Sequence, residues 1–172
     1  MTFNFKDQLQ IGNAGEATLL KHYDVIKVEG EPRYDFVTVA TNETVELKTD
    51  THRPKNFFFE FISDTEKATP GGPWRANKDS VVHFVYLFIN EGHVFWFETA
   101  PLVAFLDEHL AEFRQVQIKN TSWTSVGYLV PIEQVTHLAC TKDSMILPKE
   151  TPDGSLDRQA CIAIPSGDSG QI

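Results

Sequence analysis

The sequence predicts a mixed α/β fold: a single mixed sheet with flanking helices, built by residues 1–148 and followed by a flexible C-terminal tail over residues 149–172. Three observations predict it. The chain has 172 residues, 41% hydrophobic and 23% charged, enough for one real core and short of two. Helix-like stretches at the start and middle of the chain are separated by short segments rich in β-branched and aromatic residues. Past Lys149 the composition turns to Pro, Asp, Gly and Ser, ending in Pro165-Ser166-Gly167-Asp168-Ser169-Gly170, which reads as a tail.

Lys6 to His22 is expected to be helical, with Leu9, Ala14, Ala17 and Leu20 giving an apolar stripe that Gly12 and Gly15 weaken. Extended segments follow at Asp24–Val28, Tyr34–Ala40 and Thr44–Asp50. The turn-like Thr41-Asn42-Glu43 joins the last two into a hairpin. Asn56–Ile62, with three consecutive phenylalanines, reads as a strand buried on both faces. Ser63 to Lys78 reads as a loop because of Thr69-Pro70-Gly71-Gly72-Pro73. Val81–Ile89 and His93–Phe97 are strands around the turn Asn90-Glu91-Gly92. Thr99 and Pro101 open a helix to about Phe113. Ser125–Val130 is a strand, and Ile132–Leu138 a short helix after Pro131.

Several function classes fall away. Fifteen Lys and Arg against 24 Asp and Glu leave a net charge of -9, which argues against a protein that coats nucleic acid by bulk charge. Cys140 and Cys161 form neither a CxxC pair nor a metal-ligand spacing, so a disulfide scaffold is excluded and a reducing compartment is the simplest setting. Met1-Thr2-Phe3-Asn4-Phe5-Lys6 lacks an apolar signal core, and Val81–Ile89 is far short of the ~20 residues of a bilayer span. The expectation is a soluble cytoplasmic protein (host cytoplasm if phage-encoded) with no membrane partner. The six histidines show no zinc spacing, and no G-x-S-x-G elbow, P-loop or G-x-G-x-x-G is present.

The informative stretch is Arg33-Tyr34-Asp35-Phe36, a turn, and Val45-Glu46-Leu47-Lys48-Thr49. Alternation along a strand puts Glu46 and Lys48 on one face and Val45, Leu47 and Thr49 on the other. Hairpin pairing brings the Asp35 carboxylate beside that of Glu46, and Glu16 supplies a third carboxylate if the first helix packs on the same sheet. Two adjacent carboxylates repel each other, and a hard divalent cation removes the conflict. Mg²⁺ is typically held by one or two carboxylates plus substrate phosphate. It polarises phosphoryl oxygens and acidifies water, and a neighbouring ammonium stabilises the charge that develops on phosphorus oxygens.

Helical Glu16, then Asp35, then Glu46-Leu47-Lys48 resembles the PD-(D/E)XK nuclease superfamily, which includes restriction enzymes, Holliday junction resolvases and phage recombination nucleases. Tyr34-Asp35 stands where the family has Pro-Asp, with Pro32 displaced upstream. The resemblance covers roughly Lys6 to Ile89. It implies a restriction-endonuclease-like core and a Mg²⁺-dependent deoxyribonuclease, with Mn²⁺ as a substitute. It further implies Asp35, Glu46, Glu16 and the Leu47 carbonyl as metal ligands, and Lys48 orienting the attacking water.

Substrate contacts are expected from Trp74 by stacking and from Arg75, Lys78 and Lys55 by charge. Lys78-Asp79 before Val81 is similar to a basic-then-acidic segment of related phage nucleases. Residues 46–78 carry six basic and five acidic side chains, +1, against -10 for the remainder. Glu60 either faces the site or pairs with Arg53 or Lys55. The absence of a target-recognition domain suggests a structure-selective endonuclease acting as a homodimer on branched or duplex DNA. The alternatives are an exonuclease of phage recombination type and a catalytically silent binding module on the same fold.

Overall fold

Residues 5–120 and 123–144 are described in this computed structural model; the expected tail and Cys161 lie outside them. A helix α1 (Phe5–His22) leads into strands β1 (Val25–Lys27), β2 (Phe36–Thr38) and β3 (Thr44–Asp50). Next come β4 (Asn56–Asp64), β5 (Thr69–Pro70), helix α2 (Gly72–Lys78), β6 (His83–Phe88) and β7 (His93–Glu98). Helix α3 (Thr99–His109) continues as a 3-10 turn over Leu110–Glu112. The described chain closes with β8 (Arg114–Lys119), β9 (Thr124–Pro131), α4 (Ile132–Val135), a 3-10 turn over Thr136–Leu138, and β10 (Ala139–Ser144).

The described residues form a mixed α/β structure with two sheets, where the sequence suggests one. The first has six strands in the order β1-β2-β3-β6-β7-β10, and the second has four in the order β5-β4-β9-β8. In the first sheet β3 and β6 run parallel while its other pairs are antiparallel. The phenylalanine-rich β4 joins the second sheet instead, through Phe57↔Val130 and Phe59↔Tyr128. Strands β8 and β10 go unread in the sequence, although Val116 and Ile118 alternate with Gln115, Gln117 and Lys119 at a strand's period of two.

Strand β6 shows how one element serves two cores. Phe84, Tyr86 and Phe88 enter an aromatic cluster with Phe57, Phe59, Phe95, Phe97, Leu102 and Leu106, while Val85 and Leu87 pack under α1 with Leu19, Phe36 and Val45. Full burial on both sides is why Phe84–Phe88 reads as a continuous apolar run. Strand β4 differs from its expected double burial: Phe57 and Phe59 are buried, and Phe58 and Phe61 are only partly so.

Two further expectations are corrected. The segment predicted as a loop contains β5 and α2; Pro73 sits in the first turn of α2, where its missing N–H costs nothing. On α1 the inward face is not the Leu9/Ala14/Ala17/Leu20 stripe, since Leu9 is 54% and Leu20 43% exposed. Leu19 and Gly15 are buried instead, because the glycine lets the helix backbone come down on β3. A Cβ at residue 15 would stand 1.9 Å from Thr49 Oγ1. Gly15→Ala gains ~1 kcal/mol of helix propensity but overpacks this contact, at a cost of roughly 1–3 kcal/mol. Gly15→Val adds bulk without the propensity gain. Denaturant unfolding should show both variants less stable, valine more so; a stabilised Gly15→Ala would mean that α1 shifts freely on the sheet.

Candidate functional site

The β2–β3 hairpin pairs Phe36↔Val45 and Val37↔Thr44, and buried Phe36 and Val45 anchor it under α1. One step further in the same register, Asp35 stands opposite Glu46. The Asp35 N–H donates to the Val45 carbonyl at 2.9 Å. Asp35 Oδ2 accepts from the Leu47 N–H at 2.8 Å. The N–H and C=O of one residue in an extended strand point to the same edge, so the Leu47 carbonyl is directed toward the Asp35 side as well.

Alternation along β3 settles which side chains meet. Val45 and Leu47 pack with the α1 core, and Glu46, Lys48 and Asp50 take the opposite face, in register with Phe84, Tyr86 and Phe88 of β6. The Tyr86 hydroxyl donates to Asp50 Oδ2 at 2.6 Å and accepts from the Phe58 N–H at 3.1 Å, tying the two sheets together behind the site. Between the sheets lies a cavity of about 830 Å³. Glu16, Asp35, Glu46, Lys48 and Asp50 line one side; Phe58, Glu60, Val116, Ile118 and Leu129 line the other. A smaller recess of about 180 Å³ adjoins it at Glu46, Lys48, Glu60 and Arg75.

Burial, and then the Asp35 charge, push the Glu46 carboxyl up to about 7 despite Arg75. Burial likewise raises Asp35, with the Glu16 charge adding to the effect. Burial opposes ionisation of Asp50, yet hydrogen bonds from Tyr86 and His52 hold its carboxyl below the ordinary value. Glu46 Oε1 pairs with the Arg75 guanidinium, and its Oε2 is buried with no hydrogen-bond partner among the described residues. An orphaned carboxylate oxygen facing a second raised carboxyl is the environment a hard cation relieves.

The sequence-predicted residues separate into groups. Asp35, Glu46, Lys48, Glu16, Leu47 and Lys55 all line the large cavity. Glu16 is engaged by Lys27 at 2.8 Å, and among the described residues no three Asp, Glu, His or Cys side chains are gathered tightly enough to hold an ion alone. Lys48 forms no ion pair among the described residues. Arg75 lies on Glu46, in the recess. Trp74 is held in the fold: its indole N–H donates to Asp107 Oδ1 at 2.8 Å and its ring packs edge-on against Phe61 at 4.9 Å. Lys78 is exposed at the end of α2 and lines neither cavity. Glu60 pairs with neither Arg53 nor Lys55 and lines both cavities.

Sequence reasoning missed Asp50 and Tyr86. The alternation Glu46-x-Lys48-x-Asp50 carries the signal for the first, and only the parallel pairing with β6 reveals the second. Comparison with protein-family profiles, with curated proteins and with solved structures finds no match. No helix among the described residues is long and apolar enough to cross a membrane.

Proposed function

We propose that this chain is a Mg²⁺-dependent deoxyribonuclease with a PD-(D/E)XK-type site, hydrolysing phosphodiester bonds as a structure-selective endonuclease. One observation carries the reading: Asp35 and Glu46 face each other across the hairpin with raised carboxyls, beside an unpaired Lys48, in one cavity. The donor set fits a hard cation: the Asp35 and Glu46 carboxylates and the Leu47 carbonyl are all oxygen donors, and substrate phosphate would complete the shell. Mg²⁺ held there supplies Lewis acidity toward the phosphoryl oxygen and a lowered water pKa.

The rest is done by the chain. Asp35 and Glu46 bring two negative charges to one place, and β3 carries Lys48 two residues along the same face. Its ammonium is available to orient the attacking water and to stabilise charge on the phosphoryl oxygens. Glu16, already paired with Lys27, stands behind this set as an outer carboxylate. Homodimerisation, which lets two strands be cut together, belongs to the same proposal.

A catalytically silent binding module is the second reading, and one contact favours it: the Arg75 guanidinium already neutralises one oxygen of Glu46. Two assays separate the readings. Nicking of supercoiled plasmid in Mg²⁺ and Mn²⁺, with Ca²⁺ supporting binding but little cleavage, is the outcome expected of the nuclease. Absence of nicking together with no calorimetric Mn²⁺ binding selects the silent module.

A further inference from the structure

Besides its carboxylates, Glu16, Asp35, Glu46, Asp50 and Glu60, the large cavity is lined by side chains of a different chemistry. Strand β3 ends at Asp50, four residues and about 13 Å of extended chain from Glu46. Just beyond it, exposed Arg53 and Lys55 line the same cavity, and with Lys48 they form no ion pair among the described residues. The second sheet contributes apolar side chains to the same cavity, Phe58, Ile118 and Leu129, none fully buried, alongside Glu60. The Phe58 ring packs against β9 at Gly127, where a Cβ would stand 2.5 Å from its edge atoms.

Cations without an ion pair and aliphatic and aromatic side chains in one cavity are complementary to a sugar–phosphate backbone with unstacked bases. A volume of about 830 Å³ is the size of a small-molecule site, with room for a few nucleotides of one strand and not for two strands side by side.

We propose that the cavity takes a single DNA strand, with Arg53 and Lys55 holding phosphates a few nucleotides from the cut and bases lying on Phe58 and its apolar neighbours. The inference rests on the nuclease reading for its placement of the cut. Its test is binding. A fluorescein-labelled twelve-nucleotide DNA strand and the matching blunt duplex are titrated with the full chain in Ca²⁺, followed by fluorescence anisotropy.

The single strand should bind about tenfold or more tighter than the duplex. Arg53→Gln and Lys55→Gln, both at exposed positions, should each weaken it about fivefold and reduce the slope of log affinity against log salt by about 0.7. Phe58→Leu should weaken it about tenfold with little change in that slope. Equal or tighter duplex binding, or wild-type affinity in both cation variants, overturns the inference and leaves plasmid nicking to decide the nuclease reading by itself. Single-strand preference that depends on Arg53 and Lys55 upholds it, whether or not the strand is cut.

Discussion

Glu46→Gln, Asp35→Asn and Lys48→Met are each expected to lower Mn²⁺-supported DNA cleavage by about 10²–10³-fold or more, with the fold retained. Each substitution nearly preserves side-chain shape while removing one charge. Glu46 and Asp35 are the two carboxylates placed opposite each other, so losing either halves the negative charge that draws in the cation. Lys48 is the unpaired cation beside them. Glu16→Gln should cost about tenfold at most, because Lys27 rather than the centre of the site holds that carboxylate. Plasmid nicking measures the effect, and near-ultraviolet circular dichroism checks the aromatic core. Full activity in the Asp35, Glu46 or Lys48 variant removes that residue from the mechanism. A Glu16 variant as dead as Glu46→Gln would place the third carboxylate on the metal after all.

Mn²⁺ binding is expected to tighten about tenfold per pH unit up to about pH 7 and to level off above it. The reason is that a cation can use Glu46 only after displacing the proton that burial and Asp35 hold there. Calorimetry in two buffers of different ionisation enthalpy should count close to one proton released per site at pH 6 and far less at pH 8.5.

The same group links pH to stability without metal. Its carboxyl is raised from 4.5 to about 7 in the folded chain, so its stabilising contribution is fully present below pH 4.5 and lost as pH rises through 7. The displacement corresponds to roughly 3 kcal/mol. Glu46→Gln should therefore flatten this part of the pH–stability curve. Metal affinity independent of pH between 5.5 and 7 would show that Glu46 is already ionised and held by Arg75.

The hairpin and its charges were legible because strand alternation and short turns are local. Thr44–Asp50 reads as a strand from its own residues, and the period of two puts Glu46 with Lys48 without reference to anything else. Asp35 follows from a two-strand turn of a few residues. The second sheet was not legible: Asn56–Asp64 has the pattern of a strand, but nothing in that pattern says that it pairs with residues 124–131 rather than with β3. Misplacing the α1 stripe has a related cause. Apolar count favoured Leu9 and Leu20, whereas the packed face was chosen by how closely Gly15 lets the backbone approach Thr49.

Arg75 and Trp74 show the same division at the site. Both were read as loop residues free to touch substrate. The residues around them form α2, and that helix turns the Arg75 guanidinium onto Glu46 and the indole onto Asp107 and Phe61. A buried carboxylate makes the first contact favourable, and the need to satisfy an indole N–H while packing its ring makes the second.

By itself the sequence determined the mixed α/β class, the hairpin, and the set of charges that one strand face presents. Only the tertiary structure decided that two sheets enclose a cavity, that Glu46 keeps one oxygen on Arg75 and one with no hydrogen-bond partner among the described residues, and that Tyr86 anchors Asp50. Alternation and turn chemistry act over a few residues and can be read in order. Burial, the pairing of distant strands and the raised carboxyls depend on which surfaces exclude water from one another, and that is known only once the chain has closed on itself.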